Sequence, residues 1–297
     1  MPELPEVETS RRGIEPHILN KKIKTVVIRQ HKLRWPIPKS LPDKINDHKL
    51  TQIDRRGKYM LPTFDKAGTI IIHLGMSGSL RICTPSTAVG KHDHIDFVFS
   101  NKKILRLTDP RKGGCVLWTK QAIEEHKLLS KLGAEPLADE FDAEHLYAQS
   151  RKRSCSIKAF IMNSHVVVGV GNIYASESLF MAGINPNRKA GSLSKPRCEK
   201  LVTAIKEILD AAIKQGGTTL RDFTRENGQP GYFAQQLQVY GRAGEACPER
   251  AKPIKQISQQ NRDTLYCTAC QKQIIHTTTL NMKIEIITRA NETPPSI

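Results

Sequence analysis

The chain has 297 residues, enough for two domains of ordinary size, each with its own core. Its 46 Lys and Arg against 29 acids give a formal net charge of +17 and a pI near 9.7, which favours a polyanionic partner, nucleic acid first, over a merely basic or ribosome-associated protein. The longest apolar stretches, at 69–74 and 166–170, are strand-sized and far short of the roughly 18 residues of a membrane span, and the acidic opening Met-Pro-Glu-Leu-Pro-Glu-Val-Glu is no secretory signal, so a cytoplasmic protein is expected.

Pro5, followed by Glu6, Val7 and Glu8, starts a helix predicted to run to about Gly13, with acids near the positive end of its dipole. The period then changes. β-rich runs at 23–28, 59–64, 69–73, 95–99 and 104–107, separated by turn signals, predict an antiparallel sandwich or barrel up to about Leu117. Helical spacing dominates after Trp118, at 124–132, 143–150, 157–163, 174–181 and 194–215. Gly133-Ala-Glu-Pro-Leu marks the boundary between the two halves, and the Gly-punctuated Val168-Gly-Val-Gly-Asn-Ile-Tyr reads as a tight turn between helices.

Seven cysteines form no disulfide framework: Cys83, Cys115, Cys155 and Cys198 are scattered like small buried residues, whereas Cys247, Cys267 and Cys270 cluster in a third, small module. The tail from Gln271 is polar and without clear period. These features predict an α+β protein divided into 1–132, an antiparallel sandwich or barrel with flanking helices; 133–230, a helical domain; 231–270, a small cysteine-bearing module; and 271–297, an extension.

Pro2-Glu3-Leu4-Pro5-Glu6 is compatible with a plain helix start, yet it carries unusual chemistry. With Met1 removed, Pro2 is a terminal secondary amine with a pKa near 8, so about one molecule in ten is neutral at pH 7, against about one lysine in a few thousand. Attack of that amine on a sugar C1′ yields a cationic iminium, the electron sink that an elimination requires, with Glu3 beside it as proton donor or acceptor.

This opening resembles the formamidopyrimidine-DNA glycosylases. So do, in order, Arg55-Arg-Gly-Lys58-Tyr, His73-Leu-Gly-Met76-Ser-Gly-Ser-Leu-Arg, Lys91-His92-Asp-His, Asp109-Pro-Arg111, the Val168 segment through Asn172 to Glu177, Gln215-Gly-Gly-Thr-Thr-Leu and Gly231-Tyr-Phe-Ala-Gln-Gln-Leu-Gln-Val-Tyr-Gly. The resemblance spans 2 to about 270. It implies a β-sandwich for 1–132, a helix-two-turns-helix domain for 133–230, a zinc-finger-like hairpin for 231–270, and a monomer acting on double-stranded DNA with oxidised purines or abasic sites. It further implies Pro2 as Schiff-base nucleophile, Glu3 as general acid/base, Lys58 as proton donor in β-elimination and Arg262 as a phosphate ligand assisting δ-elimination. His92, Arg111 and Asn172 are implied as phosphate or backbone contacts at a flipped nucleotide, Met76 as a wedge filling the hole it leaves, and residues 216–225 as a loop closing over the damaged base. Bland readings stand beside these: Lys58 as a solvated hairpin charge, Met76 as core, Asn172 as a helix cap.

Two departures from the family pattern matter. The finger reads Cys247-Pro-Glu-Arg250, sixteen residues, then Cys267-Thr-Ala-Cys270, so arginine occupies the second of four zinc-ligand positions. The resemblance implies one Zn²⁺, which this set would hold weakly or not at all unless His276 or Glu249 substitutes. Where the family places Arg-Phe-Gly after Arg111, the chain has Lys112-Gly113-Gly114 and lacks the aromatic wedge. The expected reaction is base excision followed by β,δ-elimination. The alternatives are the sister enzyme for oxidised pyrimidines, disfavoured by Leu4, Met76 and Arg111, and a degenerate protein that binds damaged DNA without cutting it.

Overall fold

The computed structural model describes residues 2–217 and 236–272. Helix α1 spans Leu4–Ile18, past the predicted end at Gly13 and through Pro16. A helical Gly costs about 1 kcal/mol, but Ile14 and Ile18 lie beyond it and are fully buried, and that packing carries the helix on. Two four-stranded antiparallel sheets follow. One has the order β1-β6-β7-β5, built from Ile23–Ile28, Asp93–Phe99, Ile104–Thr108 and Ser79–Cys83; the other, β2-β3-β4-β8, from Leu50–Arg56, Tyr59–Phe64, Gly68–His73 and Cys115–Thr119. A short helix α2, Leu41–Ile45, bridges β1 and β2 in the chain. Ile14, Ile23, Met60, Ile72, Phe97 and Leu107 belong to the core the two sheets and α1 enclose.

Segment 124–132 is a correction to its predicted helix: only a single 3-10 turn forms, Ile123–Glu125. Leu129 packs with Leu61 and Ile71 on the outer face of the second sheet, and this tertiary docking overrides local helix propensity. The helical half then comprises α3, Ala143–Ser150; α4, Ile157–Ile161; α5, Asn172–Met181; and α6, Lys195–Lys214, around a separate core. The last module is a hairpin of β9, Lys255–Gln259, and β10, Arg262–Tyr266, turning through Gln260 and Asn261, both at positive φ. Gln271, read from the sequence as the first residue of a polar tail, is fully buried and joins this module: its side chain accepts from the Cys267 amide at 2.9 Å and donates to the Ile184 carbonyl at 2.9 Å. Cys83, Cys115 and Cys198 are buried as expected, but Cys155 is exposed. No helix among the described residues is long and apolar enough to cross a membrane.

Antiparallel pairing gives the sandwich two distinct ends. Arg56 and Tyr59, His73 and Cys115, and Ser79 and Thr108 pair at one end, so the β2-β3 hairpin with Lys58, the turn with Met76, the approach to β6 with His92 and the exit from β7 with Arg111 all emerge there. Helix α1 runs from that end toward the other, where the chain after Ile18 meets the start of β2 through the Asn20 amide and Leu50 carbonyl at 2.8 Å.

Candidate active site at the start of the first helix

Pro2 is buried immediately before α1, and the next two residues are clamped to the turn between α4 and α5. The Leu4 amide donates to the Gly169 carbonyl at 3.1 Å. The Glu3 carboxylate accepts from the amides of Gly171 at 2.7 Å and Ile173 at 3.0 Å, satisfying the open N–H groups at the start of α5 from the other half of the molecule. The glycines make this approach possible: a Cβ on Gly169 would lie 2.5 Å from Leu4 Cδ1, and one on Gly171 2.2 Å from Glu3 Cδ. Glu6 completes the arrangement, accepting from the Glu3 amide at 2.8 Å and the Tyr174 hydroxyl at 2.7 Å. The cap reading of Asn172 is thereby corrected. Gly171 holds the cap position and Glu3 takes the amides, while the Asn172 Oδ1 is buried without a partner among the described residues.

Burial pushes the Glu3 carboxyl above its ordinary value, and the nearby Glu6 adds to this, while Lys58 and the two amides oppose it. Burial likewise pushes Lys58 down, with Glu3 and Glu6 pulling it back up and Arg262 adding to the fall. These couplings bring Glu3, Lys58 and Arg262, from three separate segments, into one electrostatic neighbourhood beside Pro2. Lys58 is half-buried and accepts no solvated-hairpin description. Its hairpin is fixed by Glu135, which receives the Gly57 amide at 2.6 Å and pairs with Arg55 at 2.8 Å and Arg56 at 3.0 Å.

The next ring of residues surrounds this centre. Tyr59 and His73 rings stand 4.9 Å apart, and His73 Nδ1 accepts from the Gly75 amide at 2.9 Å. Burial, with Lys58 and Arg34 nearby, drops the His73 pKa to about 4, so it accepts this bond as a neutral ring. Met76 follows with 44 % of its surface exposed, which rules out the core reading. Asp109 holds the two loops together, accepting from Ser77 Oγ and the Gly114 amide, each at 2.8 Å, and Arg111 extends from the same loop into solvent. His92 is half-buried at the start of β6, its carbonyl accepting from the Asp109 amide at 3.0 Å. A Cβ on Gly113 would meet only the Met76 amide nitrogen, at 3.7 Å, so the position is open. Most of the 216–225 loop, and His276, lie outside the described residues.

Sequence reasoning missed Lys158. It is 2 % exposed on α4, and its ammonium donates at 2.8 Å to both the Asp263 carbonyl and Thr264 Oγ1, tying the helical half to the strand that begins with Arg262. Burial lowers its pKa to about 8, Glu3 opposing and Arg262 assisting. The available signal was a lone cation on the apolar face of Ile157-Lys-Ala-Phe-Ile161.

The Cys247, Cys267 and Cys270 sulfurs lie within 4.8 Å of one another, Cys247 and Cys270 at 3.7 Å. Sulfurs at about 2.3 Å around a tetrahedral zinc stand about 3.8 Å apart, so these thiols fit three corners of such a site. Arg250 is exposed and supplies no ligand to the fourth.

Comparison with known proteins agrees with this geometry. Residues 1–116 match the formamidopyrimidine-DNA glycosylase N-terminal domain and residues 132–224 the formamidopyrimidine-DNA glycosylase H2TH domain. A formamidopyrimidine-DNA glycosylase of Cellvibrio japonicus is 57 % identical over 272 residues, 92 % of this chain and all of that protein. Among solved structures, a Lactococcus lactis Fpg variant bound to DNA containing Fapy-dG is similar with a TM-score of 0.86 at 32 % identity, covering 92 % of this chain and 100 % of that one. Lactococcus lactis Fpg bound to DNA with an abasic site matches with a TM-score of 0.85 at 32 % identity, covering 91 % and 100 %.

Proposed function

The chain belongs to the formamidopyrimidine-DNA glycosylase family, and we propose that it removes oxidised purines from duplex DNA through a Schiff base at Pro2 and then cuts the strand by β,δ-elimination. The observation that carries this reading is the clamp on the N-terminus. Glu3, locked by two amides of α5, fixes the adjoining Pro2 against the helical half and beside Lys58.

With Met1 removed, the lone pair of Pro2 attacks C1′ and the bond from C1′ to the base nitrogen breaks, its electrons leaving with the base, which takes up a proton. The attached Pro2 nitrogen gives up its proton, its lone pair opens the sugar ring to an iminium, and O4′ gains a proton, for which Glu3 is placed: burial raises its pKa and so favours the protonated form that delivers it. The iminium then acidifies C2′. Loss of that proton drives electrons into the C2′–C3′ bond and expels the 3′ phosphate; a second elimination expels the 5′ phosphate. Lys58, its ammonium made more acidic by burial, is the proton donor of the first elimination, and Arg262 holds the phosphate of the second. His92, Arg111 and Asn172 bind the backbone at the everted nucleotide, and the exposed Met76 fills its place in the stack. In this reading residues 1–132 carry the chemistry, 133–230 grip the duplex and 231–270 present Arg262. Cys247, Cys267 and Cys270 would hold Zn²⁺, which, when bound, fastens the two ends of the finger and takes no part in the bond changes.

Presenting duplexes with 8-oxoguanine or thymine glycol and resolving the products on a gel tests this reading. Faster release of 8-oxoguanine, with both 3′ and 5′ phosphate ends, is expected. Preference for thymine glycol would assign the chain to pyrimidine repair, and intact strands would leave only DNA binding.

A further inference from the structure

The end of the sandwich opposite Pro2 is also cationic. Strand pairing at that end joins Ile23 to Phe99, Leu50 to Phe64, Phe64 to Gly68 and Thr69 to Thr119, and the bridge between Lys22 and Lys49 connects the two sheets there. Six exposed lysines emerge from these turns and termini: Lys21, Lys22, Lys24, Lys66, Lys102 and Lys120. Strands of five to seven residues separate them from the Lys58, Met76 and Arg111 end by roughly 20 Å.

These lysines have no structural task that accounts for them. Lys24 pairs with the exposed Asp47 at 3.7 Å, and the other five make no hydrogen bond or ion pair through their side chains among the described residues. Asp65, another acid at this end, is engaged by the Lys49 amide and His48. Lys66 and Lys102 sit at φ +57° and +64°, the left-handed region in which Gly or Asn avoids a cost of about 1 kcal/mol that lysine bears. Clustered like charges add mutual repulsion to that cost. Backbone preference at two of these positions and charge repulsion among all six therefore argue against lysine here, and a polyanion relieves the repulsion.

We propose that this end is a second duplex-DNA surface, on which an undamaged segment is held while another lies at Pro2. It rests on the reading of the Pro2 end as the DNA-repair site. Turn lysines spread along one rim suit a phosphate backbone, which is read by charge without base contacts. A protein with two such surfaces passes from one duplex to another through a bridged intermediate, without first dissociating.

The test follows release of a labelled duplex bearing an uncleavable tetrahydrofuran abasic analogue as unlabelled undamaged duplex is added. Bridging makes the release rate rise, about threefold or more as competitor goes from roughly 1 to 100 µM, the range of non-specific duplex affinity. A variant with Lys22→Ser, Lys24→Ser, Lys66→Gly, Lys102→Gly and Lys120→Ser should release at a rate independent of competitor. Its two glycines relieve the left-handed turns, so the fold is not threatened, and its single-turnover excision from a short duplex should stay within about twofold of the parent. A flat rate in the parent, or an unchanged rise in the variant, would overturn the proposal. So would polyglutamate accelerating release as well as duplex at equal charge, which would make the surface a general anion site. Failure of excision in the parent, with competitor-driven release intact, would instead refute the repair reading alone.

Discussion

Glu3 joins the chemistry to the fold, and its two duties can be separated. Its carboxylate satisfies the amides of Gly171 and Ile173 in a buried place, so Glu3→Ala leaves both without acceptors and should cost about 2–3 kcal/mol in urea unfolding. Glu3→Gln keeps the side-chain volume and an acceptor for one of the two amides but turns its NH2 toward the other, so it should recover only part of that loss while slowing excision as severely, because an amide cannot pass a proton. Equal destabilisation by both variants would show that keeping one acceptor for the Gly171 and Ile173 amides contributes nothing to stability. The cysteine cluster gives a second residue-scale expectation. Three thiols, with Arg250 at the sequence position of the missing ligand, should hold zinc below one equivalent in purified protein, and Arg250→Cys should raise the content toward one and increase the δ-eliminated fraction, since Arg262 stands on the same finger. One tightly held zinc per parent chain in metal analysis would contradict this. Pro2, Glu3 and Lys58 were legible as candidates because each belongs to an ordered motif. The tie from Glu3 to Gly171 and Ile173 was not, because it spans about 170 positions and depends on glycines whose missing side chains admit the carboxylate.

Among the elements, periodicity located β1, β3, β4, β6 and β7 and the long helices, whose buried faces alternate or repeat cleanly. It passed over β2, β5 and β8, and all three are edge strands. An edge strand meets a partner on one side only and tolerates the charges seen in Leu-Thr-Gln-Ile-Asp-Arg-Arg of β2, which blur the alternation. The loops that carry Met76 and Arg111 were legible as motifs, but their mutual support through Asp109 was not. That support makes Gly113 informative. Its added Cβ would touch only the Met76 amide nitrogen, so nothing bars a side chain at its root and Gly113→Phe should restore an apolar wedge beside Met76. Excision should quicken on a fully paired duplex, where breaking a stack costs a few kcal/mol, and change little on a bulged lesion already unstacked. Single-turnover rates on the two substrates decide it, and an equal gain on both would argue against a wedge.

Taken as one molecule, the two halves meet through charge as well as through Glu3. Glu8 on α1 pairs with Arg11, Arg12 and Arg55, and Arg55 also pairs with Glu135 beyond the sandwich. Burial alone would raise the Glu8 pKa, but hydrogen bonds from Arg11 and Arg12 and the charge of Arg55 outweigh it and hold the group at about 2. Its folded value lies below its unfolded value of 4.5, so the stability it contributes is complete above about pH 4.5 and is lost as pH falls toward 2. The loss should be about 2–3 kcal/mol, and Glu8→Gln should flatten the acid limb of the stability curve; superimposable acid limbs would show that Glu8 does not titrate this way. The overall charge of +17 announced a polyanionic partner from the sequence, but only strand register gathers Lys21, Lys22, Lys24, Lys66, Lys102 and Lys120 at the end of the sandwich away from Pro2. Covalent bonding of Pro2 to the sugar is read out by borohydride reduction during turnover of an 8-oxoguanine duplex, followed by mass spectrometry of the adduct. A stable protein–DNA adduct is expected on the Pro2 nitrogen in protein lacking Met1, and none when Met1 is retained or in Pro2→Gly with its N-terminus blocked. Strand cleavage without an adduct, or an adduct on a lysine, would contradict it.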